Sequence, residues 1–182
     1  PSLAPSPLPW RPVVEAVVEV DGVDVALLEA GRGGRPLLLV HGFTGCKEDF
    51  ADEVPRLAAL GFHVVAPDLV GHGASTHVAE ESAYSFERFA TDLLGLADHL
   101  GWDRFDLLGH SMGGMVAQVL VLSSPDRVDR LVLMDTHHGR IEDLGGGLRL
   151  RLRERRGHRR GKQNACPARN ALQHVSTHDH GQ

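Results

Sequence analysis

The run Leu107-Leu108-Gly109-His110-Ser111-Met112-Gly113-Gly114 constrains this chain more than any other stretch. It sets the pattern Gly-x-Ser-x-Gly between an apolar segment and a segment of helical character. A side chain at position 109 or 113 would crowd a tight bend. The spacing therefore predicts a strand that ends in a sharp strand-to-helix turn, with the Ser111 hydroxyl pushed out above the sheet edge. Such a turn aims the first N–H groups of the following helix at whatever the hydroxyl meets. The five residues alone are also compatible with a glycine-rich turn that binds nothing.

Two more blocks repeat the scheme. Pro36-Leu37-Leu38-Leu39-Val40-His41-Gly42-Phe43-Thr44-Gly45 reads as a short continuous apolar strand running into a glycine turn. Phe62-His63-Val64-Val65-Ala66-Pro67-Asp68-Leu69-Val70-Gly71-His72-Gly73-Ala74-Ser75 does the same. Between them lie helical patterns. Phe50, Val54, Leu57 and Leu60 predict a helix over 48–60, with Pro55 shortening or kinking it and Gly61 closing it. Ser85 is placed to cap a helix over 86–100 with Phe86, Phe89, Ala90, Leu93, Leu94, Leu96, Ala97 and Leu100 on its apolar stripe. Valine-rich segments at 13–20 and 23–30 around Asp21-Gly22 predict a hairpin. Strands are expected at 37–41, 63–67, 105–109 and 130–135, and a helix over 112–123. An antiparallel start followed by βαβα units implies an α/β fold, a mostly parallel twisted sheet with helices on both faces.

The three blocks, in this order, resemble the α/β-hydrolase family over roughly residues 13 to 138. The resemblance implies roles. Ser111 would be the nucleophile, a poor one until a base takes its proton. The backbone amides of Phe43 and Met112 would form the oxyanion hole. Serine at 111 argues against dehalogenases and epoxide hydrolases, which resemble this fold but carry aspartate there. The implied activity is hydrolysis of a carboxylic ester or related acyl bond of a small molecule, through an acyl-enzyme at Ser111. Enzymes that cleave carbon–carbon bonds or eliminate from cyclic acids share a similar elbow. The alternative is a catalytically incomplete fragment or a non-catalytic binding module with the same fold.

The resemblance also implies an acid and then a histidine after the serine, and these positions are not found. His110 adjoins the serine on a turn whose neighbours point away. His41 and His72 fit structural hydrogen bonding in their loops, and Asp68 fits ordering its own loop. His137 and His138 follow the sixth strand at the elbow's edge, and Asp135 fits an acid position used by a minority of the family. These alternatives stay open.

Charge divides the chain near Gly139. Residues 139–182 hold ten Lys and Arg against four Asp and Glu, a net of +6, whereas residues 1–138 carry −11. The expected organisation is an extended Pro-rich leader over 1–12, a partial core over 13–138 and a basic disordered tail over 139–182. The lid and last strands of the fold are expected to be missing. The tail reads like out-of-frame translation beginning between Gly139 and Gly147, which translating the other two frames would test. His174, His178 and His180 lack a helix that would make them metal ligands. The basic stretch 149–162 lacks the aromatic residues of a nucleic-acid binder. No cofactor, metal, nucleic acid or membrane partner is implied. No apolar run approaches the ~20 residues of a membrane span. The N-terminus lacks a signal-peptide pattern. Two cysteines, Cys46 and Cys166, make no disulfide framework, so a reducing, cytoplasmic setting is the default. An open sixth strand predicts self-association through the sheet edge.

Overall fold

The computed structural model of the chain describes residues 12–80 and 84–137. These form a six-stranded sheet in the order β1-β2-β4-β3-β5-β6. β1 (Val14–Val20) and β2 (Val23–Ala30) make an antiparallel hairpin, and β2 pairs antiparallel with β4 (Phe62–Pro67). β3 (Arg35–Val40), β4, β5 (Phe105–His110) and β6 (Val128–Met134) run parallel to one another. The hairpin turn has positive φ at both Asp21 (50°) and Gly22 (82°), the backbone that Asp-Gly accommodates and that matches strand twist.

Alternation along the strands builds two cores. Leu37 and Leu39 of β3, with Val64 and Ala66 of β4, face α1 (Glu53–Ala59) through Val54 and Ala58. Leu38, Val40, Val65 and Leu107 face the other way, onto α2 (Phe86–His99) and α3 (Met112–Ser123). Helices therefore cover both faces, as a parallel sheet requires. At the ends of the strands remote from Ser111, Glu29 is buried with bidentate bonds from Arg32 and a 2.6 Å bond to His63 Nε2.

The segment expected as one helix over 48–60 is instead two pieces. Lys47–Phe50 is a 3₁₀ turn, and α1 begins only at Glu53. Pro55 lacks an N–H to give, so it is tolerated in the first turn of α1 and not further along. The Ser85 cap is present, with its hydroxyl accepting from the Arg88 amide at 3.1 Å. Phe86, expected on the buried stripe, is exposed beside that cap. β6 starts two residues earlier than expected and ends at Met134. Residues 1–11 of the expected leader, His138 and the expected tail over 139–182 lie outside the described residues. Among the described residues β6 is the last strand of the sheet, with Val132 and Met134 exposed. None of the described helices is long and apolar enough to cross a membrane.

Candidate active site

Ser111 sits between β5 and α3 at φ 52°, ψ −117°. A non-glycine residue at positive φ with this ψ is held there by its surroundings, at a cost of about 1–3 kcal/mol. Three hydrogen bonds hold it. Its amide donates to the Met134 carbonyl at 3.0 Å, and its own carbonyl accepts from the Gly114 amide at 3.0 Å. The Thr136 hydroxyl donates to that same carbonyl at 2.6 Å. The flanking glycines are required by space. A Cβ on Gly109 would lie 2.3 Å from the Gly113 carbonyl oxygen, and one on Gly113 would lie 2.4 Å from that of Val40. The serine is half-buried, and its hydroxyl makes no hydrogen bond with any described residue.

The turn after β3 comes directly alongside. A Cβ on Gly42 would stand 3.1 Å from Ser111 Cβ. Phe43, next in the chain, is 66% exposed at this rim. Met112 opens α3 with its side chain buried. Gly42 and Ser111 thus bring the two turns named from the sequence to one place.

The turn is secured from beneath by the loop after β4. His41 is fully buried, and its Nε2 accepts from the Leu69 amide at 3.0 Å. The proton is therefore on Nδ1, which donates to the Gly42 carbonyl at 2.8 Å. Burial holds its pKa below the ordinary histidine value, outweighing the Gly42 bond. His41 is a neutral strut that fixes the peptide plane carrying the Phe43 N–H. Asp68 takes the Lys47 amide at 2.6 Å and the Ala74 amide at 2.9 Å. The Ser75 hydroxyl donates to the Asp68 carbonyl and accepts the Ala26 amide of β2. The roles expected for His41 and Asp68, ordering their loops, are the ones the geometry gives them.

Lys47 belongs to none of the three sequence blocks and is nonetheless part of this support. Its ammonium, with a side chain 2% exposed, reaches Asp68 Oδ2 (3.3 Å), Glu48 Oε1 (2.6 Å) and Glu15 Oε1 (3.2 Å). Burial alone would lower its pKa. The Glu48 hydrogen bond, the Asp68 charge and the Glu15 hydrogen bond outweigh it and raise the value above the ordinary lysine range. Cys46, Glu48 and Asp68 bring their donor atoms within 4.8 Å of one another. The lysine already neutralises both carboxylates there, so the donor set does not fit a metal.

The remaining histidines and acids are scattered. His110 ends β5 beside Gly42. Asp135 follows β6 at φ 46° and is exposed. His137 is exposed, with its carbonyl accepting from Gln118 Nε2 at 3.0 Å. Among the described residues none of them hydrogen-bonds the Ser111 hydroxyl.

A family model described as alpha/beta hydrolase fold matches residues 35–165, and the chain belongs to this family. The matched span runs past the change in composition near Gly139. Epoxide hydrolase A of Mycobacterium tuberculosis is 37% identical over 115 residues, 63% of this chain and 36% of that protein. Human "Serine hydrolase-like protein" is 36% identical over 103 residues, 57% of this chain and 50% of its own length. The crystal structure of Epoxide Hydrolase A from Mycobacterium thermoresistibile superposes with TM-score 0.65 at 36% identity, covering 67% of this chain and 39% of that one. A thioesterase domain from the curacin biosynthetic pathway gives TM-score 0.64 at 28% identity over 73% of this chain and 51% of its own. The chain spans between 36% and 50% of the length of these two curated relatives.

Proposed function

We propose that the chain carries the nucleophile half of a serine hydrolase acting on a carboxylic ester or related acyl bond of a small molecule. Once a base takes its proton, Ser111 Oγ adds to the carbonyl carbon and the C=O π pair moves to oxygen, where the amides of Phe43 and Met112 receive it. Collapse of that oxyanion expels the alcohol, which takes a proton, and leaves an acyl-enzyme that water hydrolyses. Losing one such donor typically costs about 2.7–4 kcal/mol of transition-state stabilisation. The observation that carries this reading is the forced positive-φ backbone of Ser111, seated against the Gly42 turn.

Chemistry chooses among the relatives' activities. A carboxylate that opens an epoxide forms an ester, whose carbonyl a water can then attack. A serine that opened an epoxide would form an alkyl ether, which offers water no carbonyl. Serine at 111 fits acyl transfer, where the intermediate is itself an ester. A second reading, a same-fold binding module without turnover, is favoured by one observation: no described residue hydrogen-bonds the Ser111 hydroxyl as a base. Labelling with a fluorophosphonate and hydrolysis of a short p-nitrophenyl ester separate the two. Both activities present in the chain and lost in Ser111→Ala support the hydrolase. Absence of both in the unaltered chain supports the alternative, a catalytically incomplete fragment or a binding module with the same fold.

A further inference from the structure

One imidazole in the loop after β4 stands between two backbone carbonyls. His72 puts Nδ1 3.1 Å from the Val70 oxygen and Nε2 3.0 Å from the Phe43 oxygen. Both ring nitrogens face acceptors, and neither faces a donor. A neutral imidazole has one N–H and one lone pair, so either tautomer turns a lone pair onto a carbonyl oxygen. The imidazolium carries an N–H on each nitrogen and satisfies both. The neighbouring His41, ring centroids 5.0 Å away, is the opposite case: the Leu69 donor fixes it neutral.

The surroundings permit the charge. From the turn after β3, His72 meets the neutral His41 and the Phe43 ring. From α2 it meets the apolar Phe89 ring at 6.2 Å. Asp68, in the same loop, has its carboxylate held by the Lys47 ammonium at 3.3 Å. His72 is itself only half-buried, so water reaches it.

We propose that His72 is a proton-dependent positioning residue for the turn that carries Phe43. Two histidines bracket this residue. His41 pins the peptide plane before it, at the Gly42 carbonyl, permanently. His72 pins the plane after it, at the Phe43 carbonyl, and holds it without conflict when doubly protonated. Between two pinned planes the Phe43 backbone has one orientation. With the second released, the tip of the turn can rotate. In the serine-hydrolase reading above, on which this consequence rests, that rotation would turn the Phe43 carbonyl and Thr44 amide at the rim of the site while His41 keeps the Phe43 N–H in place.

The test follows the turn and not turnover. Long-range ¹H–¹⁵N spectra of the full chain between about pH 5 and 8 report the protonation of His72. The Phe43 carbonyl and Thr44 amide resonances should move with the same midpoint. His72→Gln keeps a neutral N–H donor, so the movement should vanish. His72→Leu should displace both resonances and make them independent of pH. Resonances that ignore the His72 titration overturn the proposal, as does pH dependence that persists in His72→Gln. Should His72→Leu fail to fold, the unaltered chain and His72→Gln decide. A chain in which Ser111 never labels counts against the serine chemistry and leaves this result standing.

Discussion

Replacing Lys47 with methionine keeps an unbranched apolar stem in place and deletes a single charge. Asp68, whose side chain is fully buried, then loses its ammonium partner. Breaking a buried ion pair from one side costs about 3–5 kcal/mol. Two features pull this case to the lower end. Asp68 keeps the Lys47 and Ala74 amides, which are main-chain donors and survive the substitution. Glu48 and Glu15 have side chains 39% and 67% exposed and return to water. The expected loss is ~3 kcal/mol, which lowers the melting temperature by about 10 °C in a domain of this size. The raised pKa fixes the pH range. Stabilisation by a group raised in the folded state is complete below its ordinary value of 10.5 and lost as pH rises through the folded value. The penalty should therefore be flat through neutral pH. Urea unfolding followed through the buried Trp102 measures it. Lys47→Met combined with Asp68→Asn should be less damaging than the sum of the single changes, because the orphaned charge is gone. A single-variant loss under about 1 kcal/mol, or strict additivity, would show that the lysine does not tie the two loops.

Gly113→Ala should cost about 3 kcal/mol, the upper end for overpacking. Its Cβ would press on two main-chain oxygens, of Val40 and His41, and neither can rotate away; thermal melting checks it, and an unchanged melting temperature would refute the close approach. Asp92→Asn should stabilise the chain by up to about 1 kcal/mol near neutral pH. Burial raises the Asp92 pKa against the Arg88 hydrogen bond and charge, Asp21 adds repulsion, and one carboxylate oxygen has no partner. A raised carboxyl favours folding below its ordinary 3.8 and opposes it as pH climbs, so the gain should vanish near about pH 3. Denaturation at the two pH values measures it; a destabilised Asn variant at neutral pH would contradict the reading.

What could be read in the residues was local. Asp21-Gly22, the Ser85 cap and the glycines around Ser111 each impose a backbone geometry by their own chemistry, and each stands where the pattern put it. The division of 48–60 was less legible: Pro55 signals a shortened helix, but the 3₁₀ turn at Lys47–Phe50 depends on Asp49 reaching back to the Cys46 amide. Lys47 was invisible for a different reason. A lysine after a glycine turn normally stays in water, and only the approach of β1 and of the loop after β4 buries it. Glu29 and His63 meet because β2 and β4 pair antiparallel in a given register. Strand order is a long-range property that no window of sequence contains.

The hydrogen bonds from Ser111 to Met134 and from Thr136 to Ser111 make β6 and the residues that follow it a splint for the bend at Ser111. A neighbour zipped along that rim would share a backbone with the splint. Tension or slack introduced there is one residue from the hydroxyl. Whatever borders β6 is thereby mechanically coupled to Ser111 without ever touching it.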